Sequence, residues 1–187
     1  MTRRFHTGAI LPLLLITSLL TACGFQLRGK VDIASEIAQL SVSGSDLPFV
    51  RELKKALTLS GIEITDNAHY HLQLVSLERT TGDEIQASAG QYERLLTLKA
   101  TYQLSTNDGL KLFDPIVLSN ERFMFQDRNL TNAAQSEEAI IFDQLRQELL
   151  LTSVRRVAGI SGDVLRQEEE RARKARETER EALKAQQ

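Results

Sequence analysis

Tyr92–Leu104 reads as the clearest strand in the chain, and from Leu96 to Leu104 apolar and polar side chains alternate without a break. Leu96, Leu98, Ala100, Tyr102 and Leu104 fall on one side, and Thr97, Lys99, Thr101 and Gln103 on the other. Nothing else in the 187-residue chain restricts the fold as much. A period of two gives an extended strand one buried and one wetted face, whereas a helix would scatter the same residues around its circumference. Asn107-Asp108-Gly109 follows at once, a strong hairpin signal. The stretch Leu110–Phe125 is therefore expected to return antiparallel. Pro115 has no N–H to give to a ladder, so it is expected at an edge or in a bulge.

Upstream, Ala38, Leu40 and Val42 alternate with Gln39, Ser41 and Ser43, which predicts a strand over Ile37–Gly44. A helix is expected from Pro48 to Ser60. Ser45 and Asp46 offer capping oxygens, Pro48 suits a first turn and Gly61 suits the position just past the end. Its apolar face is Phe49, Val50, Leu53, Ala56 and Leu57. Ile62 and Ile64 add a short extended piece, and Tyr70–Thr80 reads as a second main strand. Thr81–Gly90 is polar with a glycine near each end and reads as a loop. A second helix is expected over Ala133–Val157, with Ile141, Phe142, Leu145 and Leu149 as its stripe. Residues 163–187 are almost all Glu, Arg, Lys, Ala or Gln and are expected to be disordered or a frayed helix. The one-sided elements combine most simply as an α+β fold. In it, two helices pack on one face of a mainly antiparallel, roughly four-stranded sheet.

The N-terminus adds an address. Arg3 and Arg4 precede an apolar segment, Ile10–Leu20, which is short for a spanning helix and has signal-peptide anatomy. It ends in Leu20-Thr21-Ala22-Cys23, which resembles a bacterial lipobox. The expectation is cleavage of residues 1–22 and covalent lipid on Cys23; the alternative is an ordinary buried cysteine after a cleaved signal. Stable anchoring takes two hydrocarbon signals, which a triacylated cysteine exceeds. In the lipoprotein pattern this resembles, an aspartate after the cysteine favours inner-membrane retention. Gly24 leaves the periplasmic face of a Gram-negative outer membrane as the expected location. The remaining 165 residues suit a single domain over 23–162 with a charged tail. As the only cysteine, Cys23 excludes an intramolecular disulfide. Loss of Arg3 and Arg4 takes the formal charge from −2 to −4, which does not suit nucleic acid.

No nucleophile–base pair, phosphate-binding glycine loop or paired-carboxylate context is present, so the chain is not expected to be an enzyme. His69 and His71, with Asp66 nearby, fall short of the three or four ligands a metal needs, and neither metal nor cofactor is expected. One constellation stands out. Antiparallel order brings Arg79, Arg94 and Arg128 to the same end of the sheet, where three guanidinium groups could hold phosphate bidentately. The alternative is three solvated arginines paired with Glu78, Glu93 and Asp127.

The stretch Cys23-Gly24-Phe25-Gln26-Leu27-Arg28-Gly29 resembles the start of mature lipoproteins of the LptE lipopolysaccharide-assembly family. There, acylated cysteine is followed by glycine, an aromatic residue, a variable position, leucine and arginine. The order of elements to about Val157 agrees, as do the glycine turn Leu59-Ser60-Gly61-Ile62-Glu63 and the strand around Tyr92. The tail beyond residue 165 lies outside the resemblance. The resemblance implies an outer-membrane lipoprotein that plugs the lumen of an LptD β-barrel and helps place lipopolysaccharide in the outer leaflet. It also implies direct binding of lipopolysaccharide by basic loop residues at one end of the domain. Arg79, Arg94 and Arg128 are analogous to these in location, and Arg28 matches the N-terminal motif. The competing expectation is a free-standing lipoprotein of the periplasmic face that binds a small anionic ligand without a barrel partner.

Overall fold

The computed structural model describes residues 37–83, 85–88, 91–127 and 131–186. The leader 1–22, Cys23, Gly24, Arg28 and the rest of the segment before Ile37 lie outside the described residues, as does Arg128. In chain order the elements are β1 (Gln39–Gly44), α1 (Leu47–Leu59), β2 (Glu63–Ile64), β3 (Tyr70–Thr81), β4 (Ile85–Ser88), β5 (Gln91–Thr106), β6 (Ile116–Asp127), α2 (Thr131–Ala158) and α3 (Gly162–Ala185).

The six strands make one mixed sheet in the order β2-β1-β3-β5-β4, with β6 on the other edge of β5. β1 runs parallel to β2 and to β3, and the remaining pairs are antiparallel. The α+β class is as expected, with two more strands than the four anticipated. One of them, β4, lies inside the stretch read as a loop. Its side chains are too polar to announce a strand, and its place comes from pairing Ile85 with Glu93 and Gln86 with Tyr92.

Strand direction gives the sheet two ends. At the turn end, β5 finishes and β1, β3 and β6 begin. At the tip, β3 and β6 finish, β5 begins and β4 pairs with its first residues. The alternation in β5 holds throughout: Leu96, Leu98, Ala100, Tyr102 and Leu104 are all buried. They meet Leu40, Val42, Leu72 and Leu74 from the neighbouring strands, and Phe49, Leu53 and Leu57 of α1. Ile141, Phe142, Leu145 and Leu149 of α2 complete the same core. Each such side chain contributes about 1.5–3 kcal/mol on burial.

Local chemistry sets the boundaries. The Asp46 carboxylate accepts from the Phe49 N–H at 2.8 Å and caps α1. At the other end Gly61 takes φ +96°, a conformation open to glycine. It allows the Ile62 N–H to reach the Leu57 carbonyl and the Gly61 N–H to reach Thr58, closing a Schellman turn that delivers Ile62 to the core. Gly109, at φ +79°, closes the turn after β5 in the same way. Beyond it the β5–β6 ladder slips. Leu112 bonds to Leu104, but Ile116 faces Tyr102, so Phe113, Asp114 and Pro115 stand opposite Gln103 alone. Pro115 thus sits in a bulge, as its missing N–H requires. The buried Gln103 amide donates to the Phe113 carbonyl at 2.9 Å and satisfies the bulged backbone.

Two features go beyond the expectations. The outer face of the sheet is polar at its centre but not at the tip. Met124 is buried, so its neighbours Phe123 and Phe125 must point outward, and Ile85 shares their face. The charged C-terminal segment is a continuous helix, α3, whose start is built into the body. Ser161 caps it, Leu165 is fully buried and Ala172 packs against the core.

Candidate functional site

The tip gathers the basic residues singled out from sequence. β3 carries a bulge between Leu74 and Ser76. Before it, Tyr70, Leu72 and Leu74 face the helices; after it, Leu77, Arg79 and Thr81 pair with Ala100, Leu98 and Leu96 and share that face. The bulge therefore turns Arg79 from the outer surface to the helix side. Arg94 lies on the same face of β5, two residues before Leu96, and pairs across to buried Met124.

Both arginines meet α2. The Arg79 guanidinium carbon lies 5.4 Å from the centre of the Phe142 ring, a cation–π arrangement. Arg94 Nη1 stands 3.7 Å from Glu138 Oε2, and the Thr81 hydroxyl donates to Glu138 Oε1 at 3.3 Å. Arg94 Nε is buried and has no hydrogen-bond acceptor among the described residues. A cavity of about 470 Å³ opens between Arg79, Thr81, Gln135, Glu138, Ala139 and Phe142. The structure thus brings Arg79 and Arg94 to one helix end, while Arg128, the third member, lies outside the described residues. The anticipated acidic partners differ. Glu78 binds Lys99 at 2.7 Å on the outer face, and the carboxylate beside Arg94 comes from Glu138 on α2, not from Glu93. Helix-to-strand pairs of this kind depend on how α2 crosses the sheet, which no local sequence pattern reveals.

The histidines do not converge. His69 Nε2 lies 3.1 Å from Glu169, and His71 Nε2 lies 2.8 Å from the Ser43 hydroxyl. Among the described residues no group of three or more His, Cys, Asp or Glu is placed to hold a metal ion.

A second polar cluster, at the turn end, was not foreseen. Glu169 of α3 accepts from Tyr70 at 3.1 Å and from Arg173 at 2.6 Å, and pairs with His69. Asp108 in the hairpin turn accepts from Arg176 at 2.6 Å and from Thr106. Burial alone pushes the Glu169 carboxyl up, but hydrogen bonds from Arg173, His69 and Tyr70 outweigh it and hold the group below its ordinary value. Hydrogen bonds from Arg176 and Thr106 bring Asp108 down to about 2. Burial, reinforced by the Glu169 charge, pushes the Tyr70 phenol up to about 12. The Glu169/Arg173 pair reads in sequence as support for a solvated helix. The spacing of Leu165 and Ala172, two turns apart, was the signal that this face turns inward.

No family model matches the chain. Two curated relatives are similar to it along most of its length. One is the LPS-assembly lipoprotein LptE of Pectobacterium atrosepticum, 26% identical over 87% of this chain and 89% of its own. The other is the LptE of Photorhabdus laumondii, 28% identical over 79% of this chain and 85% of its own. The fold is shared with the crystal structure of a minor lipoprotein from Acinetobacter baumannii. That match has a TM-score of 0.55 at 20% identity and covers 65% of this chain and 91% of the other. The resemblance first met in the residues after Cys23 therefore extends through the folded domain.

Proposed function

We propose that this chain, a relative of the LptE lipoproteins, is a lipid-anchored component of lipopolysaccharide assembly at the outer membrane. The observation that carries the proposal is similarity to a named LptE over 87% of the chain, which spans the folded domain and not the lipobox alone. In this reading Cys23 carries the lipid on the periplasmic face. The domain plugs and supports an LptD-like barrel, and the chain performs no chemistry of its own. The polar centre of the outer sheet face, with Ser41, Ser43, Gln73, Thr97, Lys99 and Thr101, suits the polar lumen of a wide barrel. Arg79 and Arg94, with Arg128, are the candidate contacts for lipopolysaccharide phosphate.

Isolation of the tagged protein from outer membranes is the test. The expected result is co-isolation of a large β-barrel protein, together with loss of lipopolysaccharide export when the chain is depleted. Recovery of the lipidated protein without any barrel would reject the plug and favour the free-standing lipoprotein. In that case the cavity beside Arg79 would serve a small anion.

A further inference from the structure

We propose that Glu138 is a resident carboxylate in a seat made for phosphate, and that a phosphorylated ligand binds by displacing it from Arg94 and Thr81. The proposal deepens the reading above and rests on it only for the source of the phosphate.

The seat is poorly filled. Glu138 spans two donors, yet it reaches Thr81 at 3.3 Å and Arg94 only at 3.7 Å, beyond hydrogen-bond range. Arg79 stacks on Phe142 and has no ion-pair or hydrogen-bond partner among the described residues, so its donors are unspent there. A carboxylate carries two oxygens in one plane; a phosphate monoester presents three around a tetrahedral centre and a larger charge. From the position of the Glu138 carboxylate, two phosphate oxygens can take the end-on Nη1 and Nη2 edge of Arg94 bidentately. The third faces Thr81 and Arg79 across the 470 Å³ cavity.

Glu138 then has a definable role. Without a ligand it neutralises Arg94 and keeps the two cations at the tip from repelling one another. With a ligand it is a competitor whose removal uncovers the full affinity of the arginines. Because it sits on α2, its displacement also couples occupancy of the seat to the position of that helix end.

The test is titration of the mature lipidated protein in non-ionic micelles with N-acetylglucosamine 1-phosphate, followed by 31P and amide NMR, with N-acetylglucosamine as the phosphate-free control. Glu138→Gln keeps the side chain's shape and removes its charge. It is expected to tighten binding at least about fivefold, the effect of one unit charge some 4 Å away even in a water-like medium. Glu138→Ala, well tolerated on a helix, is expected to give the same gain. Arg94→Gln is expected to abolish binding in the wild-type and the Glu138→Gln backgrounds alike. Binding that is unchanged or weaker in both Glu138 variants overturns the proposal, as does a gain that survives Arg94→Gln. So does absence of binding in every variant. Co-isolation with a barrel is read separately and is expected to be equal in wild type and Glu138→Gln, so failure of the seat and failure of the plug are told apart.

Discussion

Tyr102 and Ser153 meet in the middle of the core, where water cannot replace a lost partner. The two hydroxyl oxygens are 2.6 Å apart, and Ser153 also donates to the Leu149 carbonyl at 2.7 Å. That leaves the phenol as donor to Ser153. Burial pushes the Tyr102 phenol up to about 12, so it stays protonated and able to donate across the physiological range. Ser153→Ala strands that donor and is expected to cost about 1–3 kcal/mol in urea denaturation. Tyr102→Phe combined with Ser153→Ala is expected to cost less than the sum of the single changes, because each single change leaves one orphan. The burial of Tyr102 was legible in the alternation of its strand. Its partner was not, since a serine on an apolar helix stripe carries no mark of which hydroxyl it will face.

At the scale of elements, α3 shows how a charged helix is held. Its first turns are fixed by Leu165, and farther along it is held by Glu169 on Tyr70, His69 and Arg173 and by Arg173 and Arg176 on Asp108. Termination after Arg176 is expected to leave the melting temperature nearly unchanged, because both acidic anchors keep their partners. Termination after Gly162 removes a buried leucine and exposes Tyr70, and is expected to cost about 3 kcal/mol or more. Acid acts on the same contacts. Asp108 is depressed from 3.8 to about 2, so what its ion pair contributes is complete above pH 4 and fades as pH falls toward 2. Glu169 is lowered too and shifts the balance the same way. Amide protection in α3 is expected to decay over that window before protection in α2, and Asp108→Asn is expected to flatten the decay.

The elements whose side chains alternate or repeat on one face were readable in advance: β1, α1, β3, β5 and α2 all appear close to their expected bounds. What escaped was set by long-range contact. β4 is a strand only because the start of β5 lies beside it, and α3 is ordered by a hairpin turn more than 60 residues earlier in the chain. The candidate site divides along the same line. The convergence of Arg79 and Arg94 followed from antiparallel order, whereas Glu138 and Phe142 depended on the crossing of α2.

For the whole molecule, the parallel pairing of β1 with β3 decides which way up the domain stands. It brings the chain into the sheet at the turn end, while Arg79 and Arg94 occupy the opposite pole. β5 alone, with 16 residues, is about 50 Å long, and the 13 residues between Cys23 and Ile37 span at most about 47 Å when fully extended. The leash is thus no longer than the body it holds. Deleting Asp32–Ser35 is expected to leave the melting temperature unchanged while weakening association with the barrel, whereas a Gly/Ser insertion at the same place is expected to be tolerated. The parallel pairing of β1 with β3 serves as a compass needle: it sets the entry of the chain into the sheet at one pole and the phosphate seat at the other.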